Sequence, residues 1–282
     1  MSQPLAKSRL RLADTLGVIR SYDCWRLSQY LLLGDPQRGC IETLGHAKLL
    51  RFQDVGYFNR IYDFGSSNVN DLEYILDRYL TSVDKQYRYG VELIARHDFD
   101  LDSVSEQLLS FGFRPKEMVA RLGLNLGSQL LPGEKSPCIP SGRLNFRHPD
   151  PGEFEAVLEL YLSGFGAPRE HHQQAMINMM QLFGHPELIT WCAFDNERPV
   201  GLGMLYVQQP YALLVAGVTA PEYQNQGIHE SLIQLRLAHA KSHGCSRIAT
   251  WCESDGQSYK NLISQGFEVL RNEQVWKLPS QR

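Results

Sequence analysis

One passage of this 282-residue chain restricts its fold more than any other. Tyr211 to Val218 (YALLVAGV) is a continuous apolar run of strand formers that follows a turn at Gln209-Pro210. It gives way to a short loop, Thr219 to Gln226, with a turn signal at Pro221-Glu222. Beyond Gly227, apolar residues recur at Ile228, Leu232, Leu235 and Ala238, the spacing of one helix face. Lys241 and His243 supply a cationic last turn and Gly244 a capping glycine. A strand that passes through such a loop into a helix has a chemical consequence. The first helical turn carries unpaired N–H groups and the positive end of the helix dipole, so it can hold a phosphate or pyrophosphate. Gly227 lets the backbone approach an anion with no Cβ in the way, and Gln224 adds a neutral donor.

The neighbouring segments extend this into an α/β pattern. Leu188 to Phe194 and Pro199 to Val207 read as strands before the passage. After it come a short strand, Arg247 to Trp251, and a helix carrying Tyr259, Leu262 and Ile263. Ser254 and Asp255 are the candidate N-caps of that helix, and Gly266 ends it. Phe267 to Leu278 is expected to close the sheet.

Length favours two domains of ordinary size. Gly127 to Gly142 (GSQLLPGEKSPCIPSG) crowds Gly, Ser and Pro and marks the boundary. The halves echo one another. Leu108-Leu109-Ser110-Phe111-Gly112-Phe113 matches Leu262-Ile263-Ser264-Gln265-Gly266-Phe267, at the same place in the order of elements. An internal duplication accounts for that match, and so does chance. In the first half, Tyr57 to Phe64 and Val91 to Ala95 are strand-like, and helical patterns run through Leu72 to Leu80 and Leu101 to Ser110. Gly65-Ser66-Ser67-Asn68 stands where the glycine turn of the second half would fall.

Composition excludes several classes. A formal net charge of -3 and a pI near 6.3 offer no basic surface for nucleic acid or an anionic membrane. There is no apolar stretch of about 18 residues, so no transmembrane helix is expected. The N-terminal Met1 to Arg9 lacks the apolar core of a secretory signal, and a cytoplasmic location is expected. Cys24, Cys40, Cys138, Cys192, Cys245 and Cys252 form no CxxC pair and read as free thiols.

Gln224-x-x-Gly227-x-His229 resembles the Gln/Arg-x-x-Gly-x-Gly/Ala signature of the GNAT superfamily of N-acetyltransferases. The surrounding order is similar too: a strand ending in valine, Pro221, a long helix, a short strand, a second helix and Gly266-Phe267. The clear resemblance covers residues 143–278, with Arg143 to Gly166 similar to the family's first strand and helix. The first half looks like a second, degenerate copy, so the whole chain resembles a tandem GNAT protein. This implies an α/β fold of α+β mixed-sheet type. Each of two GNAT-like domains would be a mostly antiparallel mixed sheet flanked by helices. The expected limits are 1–128 for the degenerate copy, 129–141 for a linker and 142–282 for the acyltransferase domain.

The resemblance also implies roles. Gln224, Asn225, Gln226, Gly227, Ile228 and His229 would bind the pyrophosphate of acetyl-CoA or another acyl-CoA. Ala216, Gly217, Val218 and Thr219 would pair with the pantetheine arm, where their strand splays from its neighbour. Asn261 would contact the coenzyme. Two departures stand out. His229 replaces a Gly or Ala, so its side chain either turns away from the pyrophosphate or lies beside it as a donor. Gln224 replaces the commoner Arg, leaving anion binding to backbone N–H groups and the dipole.

Transfer to an amine requires a base, directly or through water. The strand Tyr211 to Val218 has no acidic residue, and Glu222 reads as a solvated turn residue. Glu253 is the preferred base, with a capping or surface role as the alternative. Many family members carry a Tyr acid where Leu262 stands here. Tyr259, three residues earlier, is the substitute candidate or a packed core residue, and Ser258 is a polar candidate on the same helix. With Leu262 facing the thiol, no acid is needed, because a thiolate near helix dipoles is protonated by water. Ala167 to His172 falls near the expected acceptor region. Adjacent His171 and His172 point about 100° apart on a helix and lack HExxH spacing, so no metal site is expected. The expected function is therefore transfer of acetyl from acetyl-CoA to a primary amine, on a small molecule or peptide, by direct attack. The alternatives are a non-catalytic acyl-CoA-binding regulatory protein and an N-acyltransferase using longer acyl donors. A different nucleotide-binding protein is disfavoured, because the loop lacks GxGxxG and GxxxxGK[ST].

Overall fold

The computed structural model describes residues 3–33, 38–52, 58–64, 69–82, 92–95, 105–127, 143–167 and 169–278. The expected linker, 129–141, lies outside them. In chain order the elements are α1 (Gln3–Leu33), β1 (Gly39–Leu44), β2 (Ala47–Phe52), β3 (Arg60–Phe64), α2 (Val69–Ser82), β4 (Glu92–Ala95), α3 (Ser105–Ser110) and β5 (Arg114–Asn125). They continue with β6 (Leu144–Arg147), α4 (Phe154–Gly164), α5 (Arg169–Met180), β7 (Leu188–Asp195), β8 (Arg198–Gln208), β9 (Tyr211–Thr219), α6 (Ile228–Ser242), β10 (Arg247–Glu253), α7 (Gln257–Ser264) and β11 (Glu268–Lys277). Among the described residues, no helix is long and apolar enough to cross a membrane.

Two compact units form: Arg20–Val119 with Asn272–Arg282, and Met1–Ile19 with Ala120–Arg271. In the first, the strand order is β1, β2, β3, β4, β11. The β1–β2 hairpin turns at Gly45, whose φ of 57° costs glycine nothing sterically. β2 and β3 are antiparallel, β3 and β4 parallel. The core gathers Leu49, Ile61, Phe64, Leu76, Tyr79, Leu93 and Phe113. The α1 helix and the hairpin precede Tyr57, where sequence patterning first signals an element. The reason is visible on α1: Val18, Ile19, Tyr22, Leu27 and Tyr30 are buried, but so are Asp23 and Arg26. Asp23 accepts hydrogen bonds from Arg26 (3.3 Å), Arg60 (3.1 Å) and the Tyr62 hydroxyl. A buried ion cluster inside an apolar stripe breaks the periodicity that a helix reading relies on.

The second unit has the strand order β5, β10, β9, β8, β7, β6. β6 to β9 are antiparallel neighbours, and β10 joins β9 in parallel. Its core includes Leu122, Leu205, Leu214, Ile233, Leu237, Ile248, Leu262 and Phe267. α6 lies where the periodicity placed a helix, but its buried face differs from expectation. The buried residues are Ile228, Ser231, Leu232, Ile233, Arg236, Leu237 and Ala240, while Ala238 is exposed and Leu235 half-buried. A buried arginine takes a core position that an apolar stripe would not assign to it.

The internal echo is geometric as well as textual. Phe113 N–H donates to Leu108 O and Phe267 N–H to Leu262 O, at 3.0 and 3.1 Å. Gly112 and Gly266 donate to Leu109 O and Ile263 O, with φ of 88° and 87°. Both are Schellman caps, each closed by a buried Leu–Phe pair. α7 begins later than expected, with Gly256 rather than Ser254 or Asp255 at its N-cap. β11 departs from the sequence reading too. It does not simply close the sheet of the second half. From Asn272 on it belongs to the first unit, where Trp276 pairs with Leu93 and packs in that core. Correspondingly, β5 belongs to the second unit from Ala120 on.

Candidate functional site

The passage Tyr211 to Ser242 folds as β9, a 3-10 turn at Pro221–Tyr223, a four-residue loop and α6. Asn225 and Gly227 both have positive φ, 60° and 76°, and Gly227 is the N-cap of α6. The first helical bond runs from Ser231 N–H to Gly227 O (3.0 Å). The amides of Ile228, His229 and Glu230 therefore precede the ladder and stay available at the positive end of the dipole. Gln224, Asn225, Gln226 and Gly227 are exposed, and Ile228 anchors the turn in the core. Free amides in this arrangement can cradle an anion.

β10 pairs with β9 only at Arg247↔Tyr211, Ile248↔Ala212 and Ala249↔Leu213. Thr250 Oγ1 then donates to Leu214 O (3.1 Å). Beyond that point the strands share no ladder pair, although β9 runs on to Thr219 and β10 to Glu253. On the other side, Ala220 N–H donates to Val200 O (2.9 Å). Main-chain groups alternate along a strand, so Val218 turns its N–H and C=O to β8. Gly217 and Thr219 turn theirs to the side that β10 has left. Thr219 Oγ1 is buried without a hydrogen-bond partner among the described residues. Ala216 and Val218 are buried, and Val218 fills the space that a Cβ on Gly164 of α4 would need.

A bulge precedes this open edge. Gly203 pairs with Gly217 and Leu205 with Leu214, so Met204 faces two residues, Val215 and Ala216. Arg236, only 2% exposed, reaches it from α6. Its Nη1 donates to Met204 O (3.1 Å) and Ala216 O (2.8 Å), and its Nε to Leu232 O (2.9 Å). Burial lowers the Arg236 pKa to about 9, so the group stays cationic at neutral pH. Sequence reasoning missed Arg236; its one signal is a cation four residues after Leu232 on a core-facing stripe.

His229 turns inward, onto β9. A Cβ on Gly217 would lie 2.9 Å from its Nε2. Asn261 Oδ1 accepts from Gln257 Nε2 (2.8 Å), which leaves Asn261 Nδ2 to donate to His229 Nδ1 (2.9 Å). The ring proton then sits on Nε2. Burial, with a smaller contribution from the Arg236 charge, pushes the His229 pKa down to about 4. The imidazole is neutral at physiological pH and adds no charge to the anion cradle. Asn261, read as a coenzyme contact, is engaged with His229 and Gln257.

The remaining candidates are dispersed. Glu253 is exposed at the end of β10, and Ser258 is exposed on α7. Tyr259 is half-buried against the core that holds Leu262, so Leu262 does not line an open site. None of the three is hydrogen-bonded to the residues of the cradle. His172 Nε2 is bonded to Ala167 O (2.8 Å), and His239 stacks on His243 at 4.2 Å. Among the described residues, no group of three or more His, Cys, Asp or Glu is placed to hold a metal ion. Near the end of α4, Phe165 is exposed beside Tyr161, and Ile177 and Met180 are exposed on α5.

Residues 154–267 match the acetyltransferase (GNAT) family. Acyl-CoA-dependent acetyl transfer is the general reaction of that family. A search of curated protein sequences gives no match. Solved structures share the fold at low identity. A functionally unknown conserved protein from Staphylococcus epidermidis superposes with a TM-score of 0.66 at 12% identity, over 86% of this chain and 95% of that one. A GCN5-related N-acetyltransferase from Kribbella flavida gives 0.64 at 13%, over 91% and 95%. A tandem GNAT protein from the clavulanic acid biosynthesis pathway gives 0.59 at 14%, over 90% and 87%. The chain shares its fold with these proteins, the tandem GNAT protein among them.

Proposed function

We propose that the protein is an N-acyltransferase that moves acetyl from acetyl-CoA to a primary amine by direct attack. The observation that carries this reading is the open edge of β9 running into the free amides of α6. The loop Gln224 to His229 would hold the pyrophosphate through backbone N–H groups, with Ile228 anchoring the turn. Ala216 to Thr219 would take the pantetheine amides, through the outward groups of Gly217 and Thr219 and the unpartnered Thr219 hydroxyl. Acetyl-CoA supplies an activated thioester. The amine nitrogen bonds to the acyl carbon, the carbon–sulfur bond breaks, the thiolate leaves and the amine sheds one proton.

Glu253 is our candidate acceptor of that proton, through water, and Tyr259 and Ser258 our candidate donors towards the thiolate. Glu253 and Ser258 are exposed to solvent, which suits a route in which water carries the protons. Leu262 at the expected Tyr position and the lack of an acidic residue in Tyr211 to Val218 favour a second reading, a non-catalytic acyl-CoA-binding regulator. We take the acceptor as a small molecule or peptide and the location as cytoplasmic. We read 1–128 and 142–282 as two copies of one ancestral unit, with the coenzyme in the second.

Release of free thiol from acetyl-CoA over a broad amine panel tests the reading, with longer acyl-CoAs in parallel. Amine-dependent release is expected. Tight acetyl-CoA binding with no release for any amine would establish the regulator instead.

A further inference from the structure

The β9 bulge needs an explanation, because an antiparallel ladder continues regularly unless something holds it open. Two carbonyls at the bulge, of Met204 and Ala216, point to one place and accept from one nitrogen, Arg236 Nη1. The position is made for that guanidinium. A Cβ on Gly203 would come within 2.7 Å of both Arg236 Cζ and Nε, so glycine there is what lets the group lie flat on β8. Gly217, the ladder partner of Gly203, is where His229 sits. Among the described residues no carboxylate pairs with Arg236. A buried charge satisfied by carbonyls alone is not a means of stabilising a core, since a hydrophobic side chain of similar volume serves as well or better. What the arginine does that an apolar residue cannot is fix two carbonyls in a non-ladder direction.

That direction matters for the next residues of the strand. A bulge sets which side of a strand each later residue faces, and loss of one residue from it reverses the set. Downstream of Ala216 those residues are Gly217, Val218 and Thr219, whose outward groups form the open edge. We infer that Arg236 is a positioning residue: by clamping Met204 O and Ala216 O it fixes the register of β9 that offers the Gly217 and Thr219 amides to the acyl donor's pantetheine arm. The inference rests on the reading of the site as one for acyl-CoA. It does not involve the anion cradle, which is built from the backbone of the loop and the first turn of α6.

The test separates the two ends of the ligand. Acetyl-CoA engages both the cradle and the open edge, whereas 3′-phosphoadenosine 5′-diphosphate, its nucleotide end with the pyrophosphate, has no pantetheine arm. Calorimetry with both is carried out on the full chain, on Arg236→Met, and on Gly203→Ala, which retains the arginine but pushes it from its seat. Arg236→Lys is the conservative control, keeping charge but not the fork. In the variants, acetyl-CoA affinity is expected to fall by about tenfold or more while nucleotide affinity changes little. Lysine is expected to restore only part of the loss. Loss of both ligands in parallel, or of neither, in a variant with a cooperative melting transition would overturn the inference. Where Arg236→Met does not fold, Gly203→Ala decides the question by the same comparison of the two ligands. Wild-type protein that binds the nucleotide but not acetyl-CoA, or binds neither, would overturn the acyl-CoA reading itself and this inference with it.

Discussion

At the scale of single residues, Gly227 and His229 make the signature physically legible. Gly227 holds φ 76° at the N-cap of α6 and is exposed where an anion would lie. Replacing it has two effects. Any Cβ strains the backbone, by about 1–2 kcal/mol for a left-handed non-glycine residue, and a carboxylate also repels a phosphate. Gly227→Ala should lower the melting temperature slightly and weaken acetyl-CoA binding, while Gly227→Glu, at similar stability, should abolish it. Equal calorimetric affinities in the two variants would contradict the anion assignment. His229 makes a pH prediction. Its folded pKa, about 4, lies below the ordinary value of 6.5. Above pH 6.5 both folded and unfolded forms are neutral and stability is flat. Between 6.5 and 4 only the unfolded form takes up the proton, so stability falls with pH, and below 4 the dependence ends. Chemical denaturation across that window should show a shallower slope for His229→Ala than for wild type.

At the scale of elements, the matching ends of α3 and α7 are the clearest internal comparison. Each relies on a glycine in the left-handed region and on a Leu–Phe contact beneath it. Gly112→Ala and Gly266→Ala should each destabilise by ~1 kcal/mol, read from urea midpoints. A change at Gly266 above about 3 kcal/mol would mean that it has a further role. The splay of β9 from β10 is an element-scale property as well. No residue in YALLVAGV announces it. It arises because the parallel pairing ends at Leu213 and the bulge redirects the strand from Gly217 to Thr219.

At the scale of the whole molecule, chain order and compact units do not coincide. The last strand contributes Trp276 to the core built by Leu49, Ile61 and Leu93. Removing residues 272–282 should therefore loosen the unit of residues 20–119 first. Hydrogen exchange is expected to show lost protection in β2, β3 and β4, with β7 and β8 largely unaffected. Loss confined to β7–β9 would refute this. An isolated segment 1–126 lacks Trp276, so it is expected to be marginally folded at best.

The sequence by itself determined much of the second half. Strand runs, the helix after Gly227, the capping glycines and the signature are local, and local steric and hydrogen-bonding rules set them. It also carried the matching helix ends, because Leu, Gly and Phe recur at the same spacing in Leu108–Phe113 and Leu262–Phe267. It did not disclose α1, whose stripe is interrupted by the buried Asp23–Arg26–Arg60 cluster, nor the allotment of β11. It left His229 two possible orientations, and a helix periodicity that put Leu235 and Ala238 inward. Only the tertiary structure decided these. His229 turns inward, where Asn261 and the bare face of Gly217 receive it, and the inward face of α6 includes Arg236, which reaches the bulge. Each depends on a partner distant in the chain, and residue spacing along one segment cannot encode a contact made across three.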